Sequence, residues 1–167
     1  LNFYTDELGS KIKTRRKLEV DLRRAVQRGE LSVHYQPLID LKSNEVSCCE
    51  ALVRWNHPDQ GSISPAEFIP MAEEIGIISK IGKFVLEQAT RECMNWPKDI
   101  RVAVNVSSLQ FQQSDVCGVI ETALLDSGLP ANRLEIEVTE SAVLDDMRDT
   151  SIILRTLAQS GVRISLD

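Results

Sequence analysis

Strand-like and helix-like segments alternate along the second half of the chain, and this alternation limits the fold more than any other feature. Apolar side chains recur at every second position in three segments, 100–107, 133–140 and 162–167, which is the period of a β-strand. Two helix-like segments, 114–127 and 145–160, lie between them, and each is followed by a glycine, as is common at helix ends. Strands that alternate with helices form βα units, so the sequence predicts an α/β fold with a mostly parallel sheet.

The first half of the chain predicts two further strands and three helices. The strand-like segments, 31–40 and 46–55, are rich in β-branched and aromatic residues. One helix begins with a serine N-cap followed by proline, and the next ends before a proline. The predicted helices occupy 1–28, 64–76 and 79–96, and a loop occupies 56–64.

The bulk properties exclude several classes of protein. The chain has 167 residues, a length that predicts one domain. Its net charge of −6 argues against binding to DNA or RNA duplexes. No apolar run approaches the length of a transmembrane helix, and no signal-peptide pattern opens the chain. The four cysteines form no C-x-x-C pair, so we expect reduced thiols in a cytoplasmic domain.

Polar side chains occupy the second face of the predicted strands, where a parallel sheet covered on both faces would have apolar ones. Asn105, Glu137 and Asp167 lie toward the carboxyl ends of three strands, where parallel sheets bind ligands. Glu50 lies on a polar face of the strand at 46–55. Carboxylate and amide oxygens suit a hard cation such as Mg²⁺ or Mn²⁺, which would also offset the repulsion between the acids.

A structural interpretation of the same acids remains open at this point. In that interpretation each acid is an ion-pair partner of an arginine and binds no metal. Glu135 is interpreted in this way. The arginines available as partners are Arg54, Arg101, Arg133 and Arg163.

Several blocks of the sequence resemble the EAL domain family, the cyclic di-GMP phosphodiesterase module of bacteria. The block at 50–55 looks like the signature that gives the family its name. A three-letter signature carries little weight alone, but six blocks match in order between residues 31 and 167. The blocks are Tyr35-Gln36-Pro37, Glu50-Ala51-Leu52-Val53-Arg54-Trp55, Trp55-Asn56-His57-Pro58, Pro65-Ala66-Glu67-Phe68-Ile69-Pro70 leading to Ala72-Glu73, Val104-Asn105-Val106-Ser107 and Glu137-Val138-Thr139-Glu140-Ser141.

The resemblance implies a TIM-like (β/α) barrel of the EAL type, with helices on its outer face. This chain would form its N-terminal part, with about five of the eight strands of such a barrel. The implied reaction is the hydrolysis of cyclic di-GMP to linear pGpG by water held on Mg²⁺ or Mn²⁺. The implied metal ligands are Glu50, Asn105, Glu137 and Asp167, among which Glu50, Glu137 and Asp167 are the catalytic acids.

The resemblance also assigns residues around the metal. Gln36 and Arg54 match substrate-contacting positions, and Leu52 matches a residue that packs against a guanine or ribose. Glu140 matches an acid that anchors a loop near the site. An alternative function is that of a non-catalytic receptor that binds cyclic di-GMP and signals through a partner. A third is that of an interaction scaffold with neither activity.

The resemblance further predicts how the chain is divided. Residues 1–29 resemble a linker helix that follows an upstream sensor or GGDEF domain, and 30–167 resemble the N-terminal portion of an EAL domain. The family's second Asp and its later Lys, Glu and Gln would follow Asp167. We therefore expect a longer parent protein and no turnover by these 167 residues alone. The parent is expected to be a cytoplasmic homodimer, with or without an anchor in the inner membrane.

Overall fold

The computed structural model describes residues 3–139 and 149–166. Its helices are α1 (Phe3–Ala25), α2 (Pro65–Glu74), α3 (Ile78–Cys93), α4 (Ser108–Gln113), α5 (Val116–Ser127) and α6 (Asp149–Gln159). Its strands are β1 (Leu31–Asp40), β2 (Glu45–His57), β3 (Gly61–Ile63), β4 (Arg101–Asn105), β5 (Leu134–Val138) and β6 (Arg163–Leu166). A short 3₁₀ turn, Ala131–Arg133, precedes β5.

The strands form one sheet in the order β1-β2-β4-β5-β6, and β3 pairs with β2 outside this path. The pairs β2–β4, β4–β5 and β5–β6 are all parallel. Helices lie in the chain between the members of each parallel pair, as a parallel sheet requires. The predicted α/β fold with a mostly parallel sheet is therefore confirmed.

The apolar face of the sheet forms a core with helices. Helix α3 packs on β4 and on α5. Its buried positions recur at helical spacing, from Ile81 through Val85 and Leu86 to Ala89. The large aliphatic side chains of β4 and β5 that are fully buried are Val102, Val104, Leu134, Ile136 and Val138. Burying one such side chain contributes about 1.5–3 kcal/mol, so this layer holds the strands in place.

Helix α4 was not predicted, because 100–107 was interpreted as one continuous strand. Strand β4 ends at Asn105, and Ser107 is the N-cap of α4. Ser107 Oγ accepts a hydrogen bond from the backbone N–H of Leu109 at 3.3 Å, and Gln110 Oε1 accepts one from Ser107 N at 3.0 Å. Ser107 and Gln110 form a capping box, a pattern that the sequence contains and that the strand interpretation overlooked.

Strand β3 lies inside the segment that was predicted to be a loop. It pairs antiparallel with the end of β2, with Trp55 opposite Ile63 and His57 opposite Gly61. The backbone of Gly61 has φ +71°, a left-handed conformation that glycine adopts without strain. A strand of three residues is too short to show an alternating pattern, so the sequence contained little signal for it.

The ends of the last two predicted strands also differ from the prediction. The strand predicted over 133–140 begins at Leu134, because Arg133 belongs to the 3₁₀ turn. The segment 162–167 contains β6. Residues 140 and 167, and the first part of the helix predicted over 145–160, lie outside the described residues.

The chain divides into two compact units, and strands β1 and β2 contribute residues to both. The first unit comprises 1–32 and 54–77, and the second comprises 33–53 and 78–167. In the first unit, Trp55 has no exposed surface, and its ring meets that of Phe68 edge-on at 5.8 Å. The indole Nε1 of Trp55 donates to Glu30 Oε2 at 3.1 Å, which satisfies its one polar atom.

His57 is buried in the first unit and is fully hydrogen-bonded there. Its Nδ1 accepts hydrogen bonds from the backbone N–H groups of Asp59 and Gln60, at 3.1 and 3.3 Å. Its Nε2 lies 3.2 Å from Asp21 Oδ2. Since Nδ1 is an acceptor, Nε2 carries the proton and donates it to Asp21. The imidazole of His57 thus connects helix α1 to the backbone of the turn that follows β2.

The four cysteines and the helices bear on the cellular setting of the chain. All four cysteines are free thiols; Cys48 and Cys93 are buried, and Cys49 and Cys117 are partly exposed. Burial raises the pKa of each of these thiols, and that of Cys48 to about 11. No helix within 3–139 or 149–166 has the length and apolar character needed to cross a membrane.

Candidate active site

Three of the predicted metal ligands lie on one face of the sheet in the second unit. Asn105, the last residue of β4, is paired directly with Glu137 on β5. Glu50 on β2 is paired with Ala103, which is two residues before Asn105 and therefore on the same face. The apolar residues that alternate with them, such as Val104, point to the helices. The alternation of polar and apolar residues thus brings three oxygen-bearing side chains from adjacent strands to one surface.

A hydrogen bond joins two of these side chains. Asn105 Nδ2 donates to Glu50 Oε1 at 2.7 Å. This distance lies at the short end of the ordinary range for N–H···O hydrogen bonds. The contact fixes the orientation of both side chains and places the amide of Asn105 beside the carboxylate of Glu50.

The composition of this group suits a hard divalent cation. Glu50 and Glu137 are partly exposed and Asn105 is exposed, so solvent and ligands reach all three. Two carboxylates and an amide oxygen are the donors that Mg²⁺ and Mn²⁺ prefer, and water completes the shell. Within 3–139 and 149–166, no three His, Cys, Asp or Glu side chains are grouped so that they could hold a metal. The fourth predicted ligand, Asp167, lies outside the described residues, as does the predicted loop anchor Glu140.

Glu135 lies in the same row across the sheet as Glu50, since both are paired with Ala103, but its side chain bonds to an arginine. Its Oε2 accepts a hydrogen bond from Arg101 Nε at 3.3 Å, in an ion pair that is mostly buried. Glu135 therefore has the arginine partner that the structural interpretation assigned to it. Glu50, in contrast, bonds to an amide, so this interpretation does not extend to it.

Two of the other arginines considered as ion-pair partners, Arg133 and Arg163, bind backbone carbonyl groups. Arg133 is 8% exposed, and its guanidinium donates to the carbonyl oxygens of Cys93, Pro97 and Ile100 at 2.8–3.1 Å. It thereby satisfies carbonyl groups at and beyond the end of α3. Arg163 Nε donates to the carbonyl oxygen of Asn132 at 3.3 Å. The expectation that Arg133 and Arg163 pair with the acids of the site is not supported by these contacts.

The residues predicted to contact substrate lie on the first two strands. Gln36 on β1 is exposed, and Leu52 on β2 is partly exposed; both belong to the second unit. Arg54, also partly exposed, lies in the portion of β2 that belongs to the first unit. Each is therefore accessible to a ligand.

Ser165 on β6 is a residue of this face to which the sequence assigned no role. It is paired directly with Glu137, so Asn105, Glu137 and Ser165 form a row across three strands. Its hydroxyl is buried, and among the described residues no group forms a hydrogen bond with it. The alternating pattern had already placed Ser165 on the polar face, but only the structure shows that its hydroxyl is shielded and unsatisfied.

Comparisons with known proteins identify relatives over nearly the whole chain. The model of the EAL domain family matches residues 19–167. The chain is 40% identical over 164 residues to the uncharacterized protein y4lL of Sinorhizobium fredii, covering 98% of this chain and 20% of the relative. It is 37% identical over 169 residues to the bifunctional diguanylate cyclase/cyclic di-GMP phosphodiesterase MucR of Pseudomonas aeruginosa, covering 99% of this chain and 25% of the relative. The chain thus spans a quarter or less of the length of these relatives.

A solved structure, that of the PaMucR phosphodiesterase in complex with c-di-GMP, has a closely similar fold. The TM-score is 0.87 at 39% sequence identity, and the match covers 90% of this chain and 63% of that chain. The predicted architecture, part of a TIM-like barrel of the type found in this family, is confirmed by this likeness.

Proposed function

Because the chain belongs to the EAL domain family, we propose that the protein that contains it hydrolyses cyclic di-GMP to linear pGpG in bacterial second-messenger signalling. The observation that carries this proposal is the convergence of Glu50, Asn105 and Glu137 on one face of a parallel sheet. The likeness to the PaMucR phosphodiesterase–c-di-GMP complex supports the choice of substrate.

The proposed metal ligands are Glu50, Asn105, Glu137 and Asp167, with Mg²⁺ or Mn²⁺ as the cation. When bound, such a cation lowers the pKa of a coordinated water and offsets the charge of a phosphate group. Glu50 and Glu137 contribute anionic oxygens, and Asn105 contributes a neutral one. The hydrogen bond from Asn105 to Oε1 orients the Glu50 carboxylate on this face. Glu140 is proposed to anchor a loop beside these residues.

The substrate contacts are proposed for Gln36, Leu52 and Arg54. Arg54 offers a guanidinium that forms charge-assisted, bidentate hydrogen bonds with phosphate oxygens. Leu52 offers an apolar surface for a guanine or ribose, and Gln36 offers an amide that both donates and accepts hydrogen bonds. Their exposure in the structure supports these roles.

The wider organisation remains a proposal as well. Residues 1–29 are assigned to a linker helix from an upstream sensor or GGDEF domain, and 30–167 to the N-terminal portion of the EAL domain. The protein is proposed to act as a homodimer in the cytoplasm, where free thiols such as the four observed here persist. Light scattering measures the molar mass of the full-length protein in solution and so tests whether it is a dimer.

The decisive experiment is a hydrolysis assay with the full-length protein and cyclic di-GMP, with Mg²⁺, with Mn²⁺ and with EDTA. Chromatography detects pGpG, calorimetry detects binding, and cyclic di-AMP serves as the matched control nucleotide. We expect metal-dependent formation of pGpG from cyclic di-GMP alone. Binding of cyclic di-GMP without hydrolysis would favour the non-catalytic receptor, and the absence of both would favour the interaction scaffold.

A further inference from the structure

The hydroxyl of Ser165 lies beside the proposed ligand Glu137, and no described residue forms a hydrogen bond with it. The two residues are paired directly across parallel strands β5 and β6, so their side chains leave the sheet on the same face. Ser165 Oγ is shielded from solvent, and among the described residues none hydrogen-bonds with it. A buried hydroxyl that no protein group satisfies is unfavourable, so one beside a proposed ligand is a candidate hydrogen-bond donor to that ligand.

The carboxylate of Glu137 is within reach of this hydroxyl. Adjacent strands lie about 4.8 Å apart, and paired residues of parallel strands stand side by side. The serine hydroxyl oxygen is one bond from its Cβ atom, and the glutamate carboxylate lies two carbons beyond its Cβ atom. Rotation of the two side chains therefore suffices for a hydrogen bond, with no movement of the backbone.

Glu50 shows how a proposed ligand on this face is held. Its Oε1 accepts a hydrogen bond from Asn105, the neighbour on the next strand. Carboxylates that ligate metals are generally held by such hydrogen bonds, and their loss weakens metal binding. Ser165 occupies the corresponding place for Glu137, on the strand opposite to Asn105.

We infer that Ser165 is a positioning residue for Glu137: its hydroxyl donates a hydrogen bond to the Glu137 carboxylate when that carboxylate binds the cation. The inference rests on the proposed function, because it requires a cation at this face. In this inference the hydroxyl gains its hydrogen bond when the cation binds. Ser165 therefore favours metal binding at the expense of the stability of the metal-free protein.

The test uses the full-length protein with Ser165→Ala, Ser165→Thr and, as a matched control, Ser79→Ala. Ser79 also has a buried hydroxyl that bonds to none of the described residues, but it lies in helix α3 and not in the sheet. The affinity for Mn²⁺ is measured by calorimetry without nucleotide, and the melting temperature is measured in EDTA. We expect Ser165→Ala to weaken Mn²⁺ binding about tenfold. Its melting temperature in EDTA should equal or exceed that of the wild type, since an unsatisfied hydroxyl is removed.

The other variants show whether a change in Mn²⁺ affinity comes from the loss of the hydroxyl or from altered packing. Ser165→Thr keeps a hydroxyl and should retain Mn²⁺ affinity, and Ser79→Ala should retain it too. If the wild-type protein hydrolyses cyclic di-GMP and Ser165→Ala binds Mn²⁺ as tightly as the wild type, the inference is overturned and the proposed function stands. A threonine variant as weak as the alanine variant would overturn it as well, by assigning the effect to packing. A wild-type protein that neither binds Mn²⁺ nor hydrolyses cyclic di-GMP would overturn the proposed function and this inference together.

Discussion

Asn105 and Glu50 are joined by a hydrogen bond of 2.7 Å, although 55 positions separate them in the chain. The pairing of β2 with β4 brings them together, since the two residues share no local motif. Their contact confirms the prediction that both lie on the same face of one sheet. It also places two of the four proposed metal ligands side by side.

The first prediction concerns Glu50 as a metal ligand. Glu50→Ala in the full-length protein should abolish the hydrolysis of cyclic di-GMP, because an anionic ligand is lost. Its effect on unfolding without metal should be no more than about 1 kcal/mol, since the lost hydrogen bond is accessible to solvent and repulsion between acids is relieved. Activity with Mg²⁺ and thermal melting in EDTA test the two statements.

Glu45→Ala is the matched control for this variant, because Glu45 is exposed at the beginning of the same strand. It should leave activity unchanged. An active Glu50→Ala protein would contradict the ligand role. An inactive and unfolded one would instead indicate that Glu50 is needed for the fold.

The second prediction concerns Arg54 as a phosphate contact. Arg54→Ala should weaken the binding of cyclic di-GMP roughly 10- to 100-fold, because a hydrogen bond to a charged group contributes about 1.5–3 kcal/mol. Calorimetry measures the affinity for cyclic di-GMP with Ca²⁺ in place of Mg²⁺. We expect Ca²⁺ to bind without supporting turnover, because it is larger and less demanding in geometry. Arg155→Ala, at an exposed position of α6, is the control. Unchanged affinity in Arg54→Ala would remove this residue from the site.

The third prediction concerns the 167-residue polypeptide by itself. It should produce no measurable pGpG, because the resemblance places the second Asp and the Lys of the reaction after residue 167. Product formation is compared with that of the full-length protein at equal concentration. If the 167-residue polypeptide hydrolyses cyclic di-GMP and its Glu50→Ala variant does not, these later groups are dispensable.

The fourth prediction concerns the packing of α3 against α4. A Cβ atom added at Gly82 would lie 2.0 Å from Gln110 Nε2. Gln110 is 6% exposed, and its Oε1 accepts the hydrogen bond that caps α4, so it cannot move without loss. Gly82→Ala should therefore destabilise the protein by about 1–3 kcal/mol in urea unfolding. Gly9→Ala is the control: Gly9 is also helical, nothing lies within 4 Å of its added Cβ, and alanine should stabilise slightly.

The fifth prediction concerns the dependence of stability on alkaline pH. Burial, with smaller contributions from Glu92 and Cys93, raises the pKa of Tyr35 from 10.0 to about 12. Between these values the unfolded chain loses the phenol proton while the folded chain keeps it. Stability should therefore fall as the pH rises from about 10 to about 12.

Tyr35→Phe tests this expectation, because phenylalanine retains a ring for the edge-on contact with Trp96, whose centroid lies 5.0 Å away. Melting temperatures between pH 9 and pH 12 should decline less steeply in the variant than in the wild type. Parallel pH profiles for the two proteins would show that Tyr35 ionises as readily in the fold as in the unfolded chain.

Periodic patterns in the sequence were sufficient to predict the sheet and the polar face of the site. Alternation in 100–107 and 133–140 separated Asn105 and Glu137 from the valines and isoleucines that form the core. This succeeded because side chains of a strand alternate strictly between faces, and because the burial of one face selects the register. The family resemblance added the roles of individual residues, which periodicity alone does not contain.

Contacts between distant segments were decided only by the tertiary structure. The sequence offers Glu135 and Glu50 as similar acids, yet one pairs with Arg101 and the other with Asn105. Arg133 was a candidate partner for the acids, but the end of α3 presents carbonyl groups to it. Which donor meets which acceptor depends on strand order and on the paths of helices. The sequence by itself thus determined which residues face the site, and the assembled sheet decided which of them touch.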